Sequence, residues 1–466
     1  MAANMPNTVS RTSSRSRVSL ATKPRDAGNL RRQRKAPLAP IDPCHSNRAP
    51  RERQLADPAA RAVTVMHLSA LNSTSFRLYL AANFVSVTGI WVNRVVIGWF
   101  SWTLTQSAAW VGIVSFLLFA PTLFAGPFFG VLADRVDIKR GALATQALLG
   151  ILMLALGALF VLGVLDIWML NVLALLFGVT SSANTPIRLT LVPLIVSREA
   201  LANAITLISI NFNAARLIGP AVGGLLLEKT DPGGTIAAAI LMTLPMLVAL
   251  AFLRPRTREG NAAPHEGIAG QLIEASRHIW ANSWLIQAMT ITTITALVPR
   301  GLLEVLPAVA DGMYKRGASG LGQMLSAVGT GALLAGISIT LRKRTSQHLE
   351  ELQRSYIWMA AGTAAVVVMG LIQNWFLALA LVALMGASGT FTAIAAQSVM
   401  QIETPDAYRG TTIGLWLFAS IGGNALGALA FGGMADAMTM PVTLLVLGAV
   451  GVGAAMISWL LAARSW

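Results

Sequence analysis

The chain has 466 residues, of which 55% are hydrophobic and only 12% charged. Soluble domains run near 25% charged, so a water-exposed fold of this size is excluded. A single cysteine, Cys44, excludes a disulfide framework and makes thiolate-held metal unsupported; no cofactor or metal is expected. The net charge of +15 invites a nucleic-acid reading, but the basic residues form a tail and short loops without interleaved aromatics, so no nucleic-acid partner is expected.

Residues 1–65 carry 13 Lys/Arg and 4 Asp/Glu and lack hydrophobic periodicity. Such a segment cannot bury enough apolar surface to fold alone. Residues 1–75 are therefore expected to be a disordered basic cytoplasmic tail. Three readings stand open for it: an extension that touches anionic lipid, a stretch preceding a true start at Met66, or a targeting segment.

From Phe76 onward the chain is apolar. Spans are expected at about 78–102, 109–132, 141–164, 168–194, 202–227 and 234–253, then at about 284–308, 319–341, 355–372, 374–398, 411–434 and 440–461. Each approaches or exceeds the roughly 20 residues that cross a bilayer core. The reading is an all-α polytopic membrane protein with twelve transmembrane helices. Its halves are 76–254 and 284–466, and its linker is 255–283. Within the linker, Leu272, Ile273, Ser276, Ile279 and Trp280 recur at helical spacing, which predicts an amphipathic helix at the membrane interface. Two loops about 207 residues apart, around 196–204 and 404–411, each lead into a glycine-dotted span, as a duplicated six-helix unit would.

Loop charge sets the orientation. With the N-terminus inside, inner loops and ends after residue 65 carry 15 Lys/Arg, and outer loops carry 3: Lys229, Lys315 and Arg316. This bias predicts that both termini are cytoplasmic.

Arg94, Arg188, Arg216, Arg300 and Glu304 fall inside predicted spans. Charges there are costly and tend to face a bundle interior. Arg188 is near a cytoplasmic end and can snorkel; Arg94 can snorkel or face inward. Arg216 lies about 14 residues, roughly 21 Å, into its span and reads as an interior residue. Arg300 and Glu304, four apart, are expected to face each other on one helix. They form a structural lock, a proton-coupling pair or an outer gate. No histidine falls in a span, so Glu304 is the leading proton carrier. Gly219, Pro220, Gly223 and Gly224 read as a close-packing or hinge motif. Trp91, Trp99, Trp102 and Trp110 read as interfacial anchors, with a cavity lining as the alternative. The chain has no phosphate-binding loop and no catalytic motif, so an enzyme is not expected.

The inner loop at 130–140 resembles the signature loop of the major facilitator superfamily, through Gly130, Asp134, Arg135, Lys139 and Arg140. It departs from the usual pattern at Asp137, where glycine is common. The resemblance implies a close turn at Gly130, a helix-end contact for Asp134, and an inner gate held by Arg135, Lys139 and Arg140. Trp91 to Arg94, Asn184 to Arg188, Asn213 to Pro220 and Arg300 to Asp311 resemble the enterobactin-exporter-like branch, the transmembrane secretion effectors. Gly219 and Pro220 with Gly223 and Gly224 are similar to that superfamily's antiporter motif, which favours efflux.

The resemblance implies a secondary active transporter in a bacterial inner membrane, working by alternating access as a monomer. Proton-coupled efflux of a small organic molecule, such as a siderophore, drug or metabolite, is the expected activity. The expected partners are that molecule, protons and membrane lipids. An importer or facilitator of the same fold, and a non-transporting membrane sensor, are the alternatives.

Overall fold

The computed structural model describes residues 69–135, 137–253, 255–256, 268–341, 348–405 and 409–463, with the backbone alone at 125–128, 130–135, 268–269, 271, 340 and 348–349. The tail expected at 1–75 lies outside the described residues as far as 68, and so do the loop residues Arg254, Arg258, Arg342, Lys343 and Arg344. Every long element among the described residues is helical. Eleven helices are long and apolar enough to cross a membrane, and a shorter apolar stretch spans Ala108–Phe124.

The first set of helices is α1 (Thr74–Thr105), α2 (Ala108–Arg135), α3 (Ile138–Val161), α4 (Ile167–Leu191), α5 (Leu201–Lys229) and α6 (Pro232–Phe252). After α7 (Ile268–Ala281), the second set is α8 (Ser283–Glu304), α9 (Gly317–Leu341), α10 (His348–Leu371), α11 (Trp375–Glu403), α12 (Arg409–Ala437) and α13 (Met440–Ala463). Each of the twelve expected spans falls on one of these helices, and most helices run a few residues past the apolar stretch.

Polar caps fix several starts. Ser73 Oγ accepts from Phe76 N at 3.3 Å and opens α1. Asp137 accepts from Arg140 N at 2.7 Å, Asp166 from Met169 N at 2.7 Å, and Asn374 from Leu377 N at 3.0 Å. Each satisfies a backbone N–H that the first helical turn leaves without a partner. The departure at Asp137 therefore has a local cause, since a glycine there has no side chain to cap α3. α1 ends at Gln106, which takes a left-handed conformation with φ +51° and returns its N–H to Trp102 O at 2.7 Å.

Within the first set, α1 packs on α5 and α6, α2 on α4, and α3 on α4 and α6; within the second, α11 packs on α9 and α10, and α10 on α13. The sets meet through two long helix pairs, α2 with α12 and α5 with α9. Glycine lets these backbones touch. A Cβ on Gly322 of α9 would lie 2.5 Å from Gly224 O of α5, and one on Gly112 of α2 would lie 3.0 Å from the carbonyl carbon of Ala428 of α12. Such contacts follow from packing in a solvent as apolar as the side chains themselves, where close approach replaces hydrophobic collapse.

α7 buries Ala275 and Ile279 and exposes Leu272, Ile273 and Trp280, the last at 76%. The expected apolar face is thus divided. Ile279 packs with Leu285, Met400 and Trp416 of the second set, while the other apolar residues remain uncovered by protein.

Candidate functional site: an arginine–glutamate centre between the helix sets

The centre begins with α1. Gly219 and Gly223 of α5 hold that helix close: a Cβ on Gly219 would lie 3.2 Å from Trp91 Cγ, and one on Gly223 would lie 3.1 Å from Val92 Cα. This closeness brings Arg94 of α1 within electrostatic reach of Arg216, one turn before Gly219 and Pro220 on α5. The Arg94 guanidinium lies over two aromatic faces, 4.9 Å from the Trp91 ring centroid and 4.4 Å from that of Phe119 on α2. Each such contact contributes on the order of 0.5–2 kcal/mol, the more so where water is thin.

Glu304, at the end of α8, supplies the counter-charge. Its carboxylate feels both Arg94 and Arg216, and Ser115 Oγ of α2 donates to its carbonyl oxygen at 3.4 Å. Arg94, Arg216 and Glu304 are each half-buried. None stands within ion-pair distance of another among the described residues. The arrangement is a loose triad of two cations and one carboxylate, drawn from both helix sets.

Arg300 does not join it. Its side chain stays within its own set, where its Nη1 donates to Ser420 Oγ of α12 at 3.3 Å and its stem lies along Gly389 of α11. The expected pairing of Arg300 with Glu304 is corrected by the partners that other helices offer. Residues Gly301–Glu304 are α-helical after a π-turn at Ala296–Arg300, so a spacing of four permits the pair, but the Arg300 guanidinium takes Ser420 on α12 instead.

Arg188 is corrected as well. It does not snorkel but is 7% exposed, with its guanidinium bonded to Asn83 Oδ1 and, at 3.3 Å, to Asn184 Oδ1. Asn83 passes the network to Asn211 at 2.6 Å, and Asn184 passes it to Thr145 at 2.9 Å. Amide oxygens alone solvate this cation among the described residues. Arg188→Met should destabilise the protein by about 2–4 kcal/mol, because each orphaned buried acceptor costs about 1–3 kcal/mol. Asn83→Ala should do at least as much harm, since it strips a charge that stays buried. Thermal unfolding in detergent measures both; an Arg188→Met midpoint equal to wild type would remove the network's structural role.

The tryptophans also differ from their expected places. Trp99 and Trp102 are buried, at 8% and 7% exposure, in a core that includes Leu302, Leu306 and Phe431 of the second set. Trp91 serves Arg94. Trp110 meets the exposed Trp168 edge-on at 5.2 Å.

In the signature loop, Gly130 lies within α2, and the side chains of Asp134 and Arg135 lie outside the described residues. Lys139 Nζ donates to Ala251 O at 2.9 Å, so it holds the end of α6 within its own set, a favourable place for a cation. Arg140 is exposed. Phe119, Ser115 and the Asn83 network escaped the sequence reading. Only the network carried a sign, in polar residues scattered through apolar spans.

A family model described as transmembrane secretion effector matches residues 65–466. The enterobactin exporter EntS of Escherichia coli O1:K1 / APEC is 28% identical over 386 residues, covering 80% of this chain and 89% of that protein. The enterobactin exporter EntS of Shigella boydii serotype 18 is 27% identical over 384 residues, with the same coverage. Among solved structures, a bacterial homolog to the human lysosomal transporter Spinster, in an inward-facing and unoccupied conformation, superposes with TM-score 0.64 at 15% identity, covering 84% of this chain and 97% of that one. The nucleoside transporter NupG superposes with TM-score 0.64 at 13% identity, over 83% and 98%. With its helices, its glycine seams and this coverage, the chain belongs to the transmembrane secretion effector family, the enterobactin-exporter-like branch of the major facilitator superfamily, and is a multi-pass membrane transporter.

Proposed function

We propose that this transporter exports a small organic molecule in exchange for protons, with Glu304 carrying the proton and Arg94 and Arg216 binding the cargo. The observation that carries the reading is the triad of two cations and one carboxylate, shared between helices before and after the linker. With Glu304 ionised the triad has a net charge of +1, and with Glu304 protonated it has +2. Proton uptake and cargo binding are therefore linked through the same two arginines, by the same factor in both directions, and exchange follows when the carrier turns over with one of the two aboard and not with both. Two six-helix halves, 76–254 and 284–466, rock around this centre. The relatives' export of enterobactin supports the outward direction.

The loop charges support a placement with the α1–α2 turn facing out and both termini in the cytoplasm of a bacterial inner membrane. α7 then lies at the inner lipid surface, where Leu272, Ile273 and Trp280 meet lipid. The protein works as a monomer.

The test uses everted vesicles loaded by an imposed proton gradient and challenged with metabolites that accumulate in cells lacking the protein. Addition of a true cargo should release the gradient in vesicles that contain the protein and not in empty ones. Cargo uptake unchanged by collapse of the gradient would end the proton-coupled reading. Raised rather than lowered cell-associated cargo on expression would reverse the direction.

A further inference from the structure

We propose that the start of α1 holds one anionic phospholipid of the inner leaflet, with its phosphate on Arg77 and an acyl chain along a groove that runs from Leu71 to Val85. The site is independent of the export reading. It needs only the orientation that the loop charges support, with the start of α1 at the cytoplasmic surface.

The groove comes from the way α1 and α5 diverge. In their outer halves glycine holds the two helices close, at Gly219 against Trp91 and at Gly223 against Val92. The inner half of α5, from Leu201 to Ile218, has no glycine, and a polar side chain bridges the gap instead. Asn211 Nδ2 donates to Leu80 O at 2.8 Å, and Asn211 Oδ1 accepts from Asn83 Nδ2 at 2.6 Å. The turn Ser69–Asn72 before α1 is pinned at the inner end: Ala70 N donates to Asn203 Oδ1 at 3.3 Å, and Ser73 Oγ donates to Ile195 O at 3.3 Å. What remains is a cavity of about 460 Å³, lined by Arg77 and Asn211 and by the apolar Leu71, Leu80, Phe84 and Val85.

Helical geometry turns the groove toward lipid. About three full turns separate Asn83 from Arg94, so the two share the face of α1 that looks to the centre. Arg77, Ala81 and Val85, spaced at i, i+4 and i+8, form a stripe roughly 120–200° around the helix from that face. Phe76 and Tyr79 lie on the covered side and are buried, and the Tyr79 hydroxyl donates to Arg188 O at 3.4 Å. Arg77, Leu78 and Ala81 are exposed. The stripe points away from both the interior of the first set and the centre, which in a bilayer leaves lipid.

Arg77 makes the groove selective. It stands in the first turn of α1, at headgroup level, and its Nη2 donates to Thr74 Oγ1 at 3.1 Å. The rest of its planar fork is open to a phosphate. Phe84 and Val85 lie about 10–12 Å further along the axis, at the depth of acyl chains. One cation at the rim and an apolar wall beyond it match a negative headgroup followed by a chain, in that order. A zwitterionic lipid offers the same phosphate but brings its own cation, which the guanidinium repels. The preference for an anionic lipid should be about fivefold, as one arginine near an anionic surface gives.

Native mass spectrometry of the full-length protein tests the site. The protein is released from micelles doped with equal amounts of phosphatidylglycerol and phosphatidylcholine of matched chains. Wild type should keep its first phosphatidylglycerol about fivefold over its first phosphatidylcholine. Arg77→Gln should bring that ratio near one. Ala81→Trp fills the groove and keeps the charge, and should lower retention of both lipids severalfold. Arg354→Gln, at an exposed arginine near the start of α10, should match wild type. Glu304→Gln should match it too, because the groove lies within one helix set. Thermal unfolding gives a second reading that does not depend on Ala81→Trp. Phosphatidylglycerol should raise the midpoint of wild type more than that of Arg77→Gln, since a ligand of the folded state stabilises it. A ratio near one in wild type, or an unchanged ratio in Arg77→Gln, would overturn the proposal. So would an equal loss of preference in Arg354→Gln, which would make net charge the cause. Unchanged retention in Ala81→Trp would also overturn it, because the headgroup would then be held with no chain in the groove.

Discussion

Purified Glu304→Gln in liposomes should lose nearly all proton-driven accumulation while it still binds cargo and carries it downhill. A proton gradient of two pH units can drive roughly hundredfold accumulation through one-for-one exchange, at about 1.36 kcal/mol per unit. Glutamine has the size and hydrogen-bonding reach of the protonated acid but cannot release a proton. The substituted triad therefore sits permanently at the charge it has when Glu304 is protonated, and the pull of Arg94 and Arg216 on cargo no longer varies between the two ends of the cycle. Glu304→Asp separates titration from geometry, since it keeps the proton and shortens the reach; it should retain coupled transport at a reduced rate. Arg216→Lys keeps the charge but loses the planar fork, and should weaken binding of an oxygen-rich cargo about tenfold, as loss of one charge-assisted bond does. The decisive measurement is the accumulation ratio against the imposed gradient. Wild-type accumulation by Glu304→Gln would make the residue structural and place the proton elsewhere.

The parts of this molecule written in the sequence are those that depend on near neighbours in the chain. The spans were legible because a helix that crosses a bilayer needs an uninterrupted apolar run, and caps such as Asp137, Asp166 and Asn374 mark where those runs begin. The inward placement of Arg216 and Glu304 was legible because a charge deep in a span has few other places to go. Partners were not legible. The sequence paired Glu304 with Arg300 by helical spacing, which says which side chains can meet on one helix but not that Ser420, 120 residues on in α12, takes the guanidinium instead. Arg188 looked like a surface arginine because its solvating amides, Asn83 and Asn184, come from two helices whose adjacency no local pattern records. Trp102 looked like an interfacial anchor because its acceptor, Asp311, is 209 residues away along the chain.

A second large effect is expected at the glycine seam, for Gly322→Ala. A Cβ there would sit 2.5 Å from the carbonyl oxygen of Gly224 and 2.8 Å from its carbonyl carbon. Both are backbone atoms of α5, so no side chain can rotate away; α5 and α9 must part. Overpacking of this kind costs about 1–3 kcal/mol, which corresponds to roughly 5- to 150-fold in an equilibrium between two arrangements. The contact joins the two helix sets, so the strain weighs on the arrangement seen here and is relieved when this end opens. Gly322→Ala should therefore insert and unfold thermally much as wild type does, yet populate the opened arrangement and turn over at least several times more slowly. Gly331→Ala is the control, because a Cβ there would strike the backbone of Ala383 on α11, inside the same set. No rocking of the sets relieves that clash, and the variant should lose thermal stability outright. Unfolding midpoints and transport rates for the two substitutions, measured side by side, distinguish strain in one state from strain in all states. If Gly322→Ala falls in stability as far as Gly331→Ala, the seam is a fixed part of the fold and the two sets do not separate along it.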